Sequence, residues 1–352
     1  MSGPRLLVVR TDALGDTVLS LPVADDLKAA LPGCHVTGLA RPPVAPLPRL
    51  DANVDAVLEW SDDSPLEPLL SQLEGGRFDA AVVLHPKPKR WSPLASALCR
   101  ARIPVRVGTG RRWWGLALYT HRVWATRHRA GLHECRRARE HGRVLLRALG
   151  ADPGVCDRAP RTRLAAPGEA LAHVEDQLER TGLGSPVLLH AGSNGSAGDW
   201  PLDHMAALAD RLGDEGEKVV FCTGLRRADL EEGLRRLCRR APVFTPSDMS
   251  LDRFAAWLRL ARCVVTNSTG PLHLAAALGT PTVGLFPNVK DCLPEQWGPL
   301  GDRSVNLVAP APPGGMVKRR GTAPPGHMAG LTVDQVHSAL RGQLARFPRD
   351  RS

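Results

Sequence analysis

The chain has 352 residues, enough for two domains with cores of their own, and its 43% hydrophobic and 23% charged content is that of a globular protein. No run approaches the ~18 uninterrupted apolar residues that a spanning helix needs, and the apolar start is too short for a signal peptide. A net charge of +10 points to nucleic acid, an anionic membrane surface or a phosphorylated substrate as partner, or to an Arg-rich surface alone.

Eight cysteines are scattered without a C-x-x-C pair or a spacing to histidine that suggests zinc, so reduced thiols of a cytosolic protein are expected. Residues 5–10 predict a buried strand and 11–15 a short loop. Residues 16–31 predict one helix, with Val18, Leu21, Ala24 and Leu27 at helical spacing. Asp16 falls in its first turn. An acid there suits the helix dipole, and it also suits a base in a cleft. Strands are expected at 35–40, 54–60, 79–85 and 105–108, with helices near 66–73 and 91–102. Such alternation argues for a parallel sheet with helices on both faces.

Residues 100–143 carry twelve Arg and two acids, Glu134 and Glu140, with Trp113, Trp114, Tyr119 and Trp124 interleaved. That pattern fits a nucleic-acid surface, a grip on a phosphorylated or lipid-borne acceptor, or a solvated basic face. Arg111 and Arg112 are its candidate phosphate-binding pair. An amphipathic helix is expected over 136–149. Residues 155–168 hold Pro without periodicity, which places a domain linker there. The division is therefore 1–155, a linker 156–168, a second domain 169–330 and a C-terminal helix 331–352. That last helix is a candidate to pack back on the first domain.

The second domain alternates in the same way. Helices are expected at 169–181, 200–212 (opened by Trp200-Pro201), 229–240 and 251–260, and strands at 186–190, 218–223, 263–266 and 281–286. Three loops fall at strand carboxyl ends, where a parallel sheet binds ligands. They carry Ser193 and Asn194, Thr223 and Gly224, and the turn Asn267–Ser268–Thr269–Gly270–Pro271 before a helix. Asn267, Ser268 and Thr269 are capping residues, and the helix N-terminus behind them is an anion site. No G-x-G-x-x-G follows the first strand and no Walker sequence is present, so the usual dinucleotide and P-loop readings fail.

The run Asn-Ser-Thr-Gly-Pro-Leu-His-Leu-Ala-Ala-Ala-Leu-Gly (267–279) closely resembles the signature of glycosyltransferase family 9, which contains the ADP-heptose:lipopolysaccharide heptosyltransferases. Leu-Leu-Val-Val-Arg-Thr-Asp-Ala-Leu-Gly-Asp (6–16) resembles its N-terminal block. His190-Ala-Gly-Ser with Trp200-Pro-Leu, Thr120-His-Arg-Val, the helix ending Ala148-Leu-Gly, and His327-Met328 before Thr332-Val-Asp-Gln are similar to further blocks in order.

The resemblance implies an α/β chain of GT-B architecture, two facing Rossmann-like domains with parallel sheets and the active site in their cleft. It implies an inverting, metal-independent transferase that takes a heptose or similar sugar from an ADP-sugar co-substrate, with no other cofactor. Asp16 matches the family's proposed general base. Arg10 matches a basic position and Gly15 the Leu-Gly-Asp block. Ser268, Thr269 and Gly270 match the phosphate-side turn, and His273 its histidine, with a structural histidine under the turn as the other reading. One departure stands out. Family members commonly carry Lys or Arg two residues before Trp-Pro, and here Gly198 stands there. Lys290, Arg226 and Arg227 are candidate replacements, and Asp229 and Glu231 are candidates for the ribose-side acid.

The implied partners are the nucleotide sugar and an anionic or phosphorylated acceptor, usually the lipopolysaccharide inner core. Peripheral contact with the inner membrane surface from the cytoplasm would suit the basic stretch, and no nucleic acid is expected. The alternatives are a secondary-metabolite acceptor, a sugar-nucleotide epimerase of the same architecture, and a non-catalytic nucleotide- or nucleic-acid-binding protein.

Overall fold

The computed structural model describes residues 3–84, 93–110, 118–124, 132–193, 198–224, 227–312, 315–317, 324 and 326–348. The chain divides into two compact units, Met1–Ala165 and Ala166–Ser352.

Among its described residues the first unit holds six parallel strands: β1 (Arg5–Val9), β2 (His35–Ala40), β3 (Ala56–Glu59), β4 (Ala80–Val83), β5 (Val105–Thr109) and β6 (His121–Val123), in the order β3-β2-β1-β4-β5-β6. Side chains alternate across a strand, so each strand feeds two cores. Leu6, Val36, Ala80, Val82 and Val107 meet Val23, Ala24 and Leu27 of α2 (Pro22–Ala30) on one face. On that face they also meet Leu145 and Leu146 of the long helix Glu134–Ala148. Leu7, Val9, Leu39, Ala81 and Val83 meet Leu69, Leu73, Leu94 and Leu98 from the helices Leu66–Gly76 and Pro93–Arg100 on the other. Each fully buried Leu is worth about 1.5–3 kcal/mol, so both faces are strongly specified. This two-sided burial is why β1 reads as an unbroken apolar run.

The helix expected over 16–31 is two helices. α1 spans Leu14–Ser20 and α2 follows after Leu21, because Pro22 lacks an N–H to continue the first ladder. α1 also starts two residues early, which puts Gly15 inside the helix. A short helix, α3 (Pro46–Arg49), follows β2. In chain order the next helices are α4 (Leu66–Gly76), α5 (Pro93–Arg100) and α6 (Glu134–Ala148). The expected linker is partly first-unit structure: Leu164 bridges Asp51, and Ala165 N–H donates to the Leu50 carbonyl at 3.0 Å.

Among its described residues the second unit holds five parallel strands: β7 (Val187–His190), β8 (Val219–Cys222), β9 (Cys263–Asn267), β10 (Thr282–Phe286) and β11 (Ser304–Val308), in the order β11-β10-β9-β7-β8. The edge strand β11 was not expected from the sequence. The helix Val333–Arg346 opens with a capping box between Thr332 and Gln335. Its Val336, Leu340 and Leu344 join the core of β7, β9 and β10 in this unit. Its Gln343 amide donates to the carbonyls of Thr282 (3.0 Å) and Arg303 (2.7 Å). The apolar face is therefore buried in the second unit, which replaces the expected return to the first domain.

Candidate active site

In the first unit β1 ends at Val9 and the chain turns through Arg10 into α1. Arg10 is 4% exposed. Its Nη1 donates to the Leu84 carbonyl at 2.6 Å. Its Nη2 lies 2.7 Å from Asp16 Oδ1, 2.9 Å from Glu134 Oε1 and 3.0 Å from Asp12 Oδ2. Burial alone would lower the guanidinium pKa, but Asp16, Asp12 and Glu134 outweigh it and raise it, so Arg10 stays charged. Asp16 remains in the first turn of α1, where Ala13 offers no capping side chain. The structure thus joins Asp16 and Arg10, two expected residues, with Gly15 beside Asp16 in the same helix.

Glu134 was missed by sequence reasoning. It is 1% exposed, opens α6, and also pairs with Arg137 Nη1 at 2.9 Å. The only signal was that it is one of two acids in an Arg-rich run. The run itself is less of a surface than its composition implies. Arg137 and Arg139 are buried, and Arg139 binds Asp26 through two bonds of 2.7 Å. Arg106 binds the Leu118 carbonyl at 2.9 Å. Arg122 lies 5.4 Å over the exposed Trp124 ring. On the buried face of α6, His141 is pushed down to about 4 by burial, so it is neutral. Its Nδ1–H donates to the Arg137 carbonyl at 2.9 Å, leaving Nε2 to accept from the Thr109 hydroxyl at 2.9 Å. Arg111 and Arg112 lie outside the described residues.

In the second unit the turn after β9 leads into the helix Gly270–Ala277. The expected caps do not cap it. Thr269 is the N-cap residue with no side-chain cap bond, and its hydroxyl donates instead to the Asn267 carbonyl at 3.2 Å. Asn267 is fully buried and ties two loops: its Oδ1 accepts from Trp200 N–H at 3.0 Å, and its Nδ2 donates to Asp199 at 3.4 Å. The chain forgoes about 1 kcal/mol of capping here, so the N-cap side chain does not fill the anion position at this helix end. Ser268 N–H is committed to the Leu285 carbonyl at 2.9 Å. His273 is buried within the helix.

Ser193 is buried after β7, and Asn194 lies outside the described residues. His190 at the end of β7 is pushed down to about 4 by burial, and its Nδ1 lies 3.3 Å from the Thr266 hydroxyl. Thr223, after β8, donates to Glu231 at 3.3 Å, and Gly224 has φ +76, a conformation that glycine adopts without strain. Asp229 pairs instead with Arg227 at 2.9 Å, which leaves Glu231 as the acid of this loop. Arg227 Nη1 would stand 3.5 Å from a Cβ on Gly192, so this cation borders the β7 loop that carries Ser193. Lys290 is exposed on a 3-10 turn, and Arg226 lies outside the described residues. Among the described residues no group of three or more His, Cys, Asp or Glu could hold a metal ion. None of their helices is long and apolar enough to cross a membrane.

Residues 156–323 match the model for glycosyltransferase family 9 (heptosyltransferase). The chain carries a glycosyltransferase family 9 domain. The lipopolysaccharide heptosyltransferase 1 of Escherichia coli K12 is 26% identical over 301 residues, covering 80% of this chain and 87% of that protein. A solved glycosyltransferase family 9 protein from Veillonella parvula has a TM-score of 0.79 at 19% identity, covering 97% of each chain. E. coli heptosyltransferase WaaC with ADP has a TM-score of 0.73 at 20% identity, covering 96% and 99%. These likenesses show the fold: two parallel-sheet α/β domains of the GT-B class. The family 9 domain contains the β9 turn and the loops after β7 and β8, and its chemistry is sugar transfer.

Proposed function

We propose that this protein transfers a heptose from an ADP-sugar to an acceptor hydroxyl with inversion at the anomeric carbon. The acceptor is the lipopolysaccharide inner core, met at the cytoplasmic face of the inner membrane. The observation that carries the reading is the uncapped helix end at Thr269–Gly270, inside a family 9 domain. A relative of the same fold is described with ADP.

In this reading Asp16 accepts the proton of the acceptor hydroxyl while its oxygen forms a bond to the anomeric carbon. The bond from that carbon to the diphosphate breaks, and ADP leaves with the electron pair. The developing charge meets the N-terminal dipole of the helix Gly270–Ala277, with Ser268, Thr269, Gly270 and His273 at its start. Arg227 supplies the positive charge that Gly198 cannot, Ser193 and Asn194 hold the diphosphate side, and Thr223, Gly224 and Glu231 hold the nucleoside side. Arg10 keeps Asp16 in place. Arg111, Arg112 and the exposed arginines of 100–143 attract the phosphorylated acceptor. No metal is needed, so a chelator leaves the rate unchanged.

The experiment is a panel of ADP-, GDP- and UDP-sugars screened by melting temperature, followed by incubation of the stabilising donor with deacylated inner-core oligosaccharide and mass spectrometry of the product. Stabilisation by ADP-heptose and one added heptose support the reading. Stabilisation by a different nucleotide sugar alone, or transfer only to a small non-lipopolysaccharide acceptor, overturns the named donor or acceptor.

A further inference from the structure

The Arg10 cluster contains a carboxylate that the transfer step does not itself use. Glu134 is 1% exposed, and each of its oxygens faces an arginine: Oε1 is 2.9 Å from Arg10 Nη2 and Oε2 is 2.9 Å from Arg137 Nη1. A terminal guanidinium nitrogen carries two protons. The Nη2 of Arg10 spends them on Asp16 and Glu134, and reaches Asp12 as an ion pair.

We propose that Glu134 is a positioning residue for Asp16, fixing the Arg10 guanidinium from α6 and sharing its charge so that Asp16 stays basic enough to take a proton. The proposal rests on the reading of Asp16 as the base. An arginine paired with one carboxylate holds that carboxylate ionised and makes it a weak base. Three carboxylates on one guanidinium divide that effect. The group is also well anchored. Glu134 sits at the N-terminus of a 15-residue helix whose Leu145 and Leu146 lie in the sheet's core. Breaking a buried pair of this kind strands a charge that the fold cannot hydrate.

Among the described residues, three elements around α1 carry charged or titratable groups. The end of β1 and its loop give Arg10 and Asp12. Helix α6 gives Glu134, Arg137 and the neutral His141. Helix α3, packed on α1, carries Arg49, which is turned away onto Glu59. Removing Glu134's charge takes one of three carboxylates off Arg10 and one carboxylate off Arg137. Removing Arg137's charge does the reverse.

The test is direct titration of Asp16 in protein labelled with carboxyl-13C aspartate, its resonance identified by its loss in Asp16→Asn. No substrate is required. Glu134→Gln is expected to move the Asp16 midpoint down by about one pH unit or more. Arg137→Gln, which takes one of the two arginines off Glu134, is expected to move it up. Coincident curves, or two shifts of the same sign, overturn the proposal. Should Glu134→Gln fail to fold, the sign of the Arg137→Gln shift decides. Opposed shifts with no sugar transfer from any donor leave the role of Glu134 standing and remove the reading of the activity.

Discussion

The imidazole of His327 occupies the space that a side chain at Gly198 would need: a Cβ built there meets the ring and comes within 3.0 Å of Met328 Cγ. Restoring a lysine at position 198 is therefore not a simple repair. Gly198→Lys alone is expected to destabilise the second unit by about 1–3 kcal/mol through overpacking, without tightening ADP binding. Adding His327→Ala is expected to recover the melting temperature and to tighten ADP. Tighter ADP binding by the single variant would show that the two positions are not in competition.

If Arg227 supplies the missing cation, its loss is felt by the donor and not by the fold. Its partner Asp229 is exposed, and such pairs contribute little to stability. Arg227→Ala is expected to raise the donor KM about tenfold, in line with losing a charge-assisted bond to phosphate, with the melting temperature unchanged. Lys290→Ala is the control and should leave KM alone. The reverse pattern would move the diphosphate to the other side of the sheet's carboxyl end.

His141 and His190 are each pushed down from 6.5 to about 4 by burial. In both, the unfolded chain binds the proton more readily than the folded one. Stability is therefore intact above about 6.5 and falls as pH drops toward 4, by on the order of 2 kcal/mol per histidine at pH 5. Melting temperature should fall as pH is lowered through that window. His190→Asn, which cannot take a proton there, should flatten the slope. An unchanged slope would mean that His190 does not set it.

The ion pair between Arg139 and Asp26 joins α6 to α2 in the first unit's interior. Asp26→Asn removes one charge and strands the other, so a loss of about 3–5 kcal/mol is expected in chemical unfolding. A loss below 1 kcal/mol would place water at the pair.

Much of this was legible in the chain itself. Cys263–Asn267 and Thr282–Phe286 are short, apolar and wholly buried, so their composition alone announces central parallel strands. The turn between them followed from its glycine, proline and hydroxyl residues. What the turn's side chains do did not follow, because Asn267 binds Trp200, 67 residues earlier, rather than its own helix. Glu134 was hidden for the same reason: its partner Arg10 is 124 residues away, and no local pattern marks such a contact. The twelve arginines of 100–143 read as one surface, yet Arg137 and Arg139 are interior, held by Glu134 and Asp26. Strand β11 escaped because an edge position leaves Ser304–Val308 half-exposed and admits Asn306, which breaks the apolar run.

The central claim is that Asp16 takes the acceptor proton while the second unit holds the donor. The most direct measurement is the single-turnover rate of heptose transfer from ADP-heptose in Asp16→Asn, with ADP affinity measured on the same preparation. The expected result is a rate lower by about 10²–10⁴ with ADP affinity unchanged. Transfer at the wild-type rate in Asp16→Asn, with that affinity retained, would contradict it.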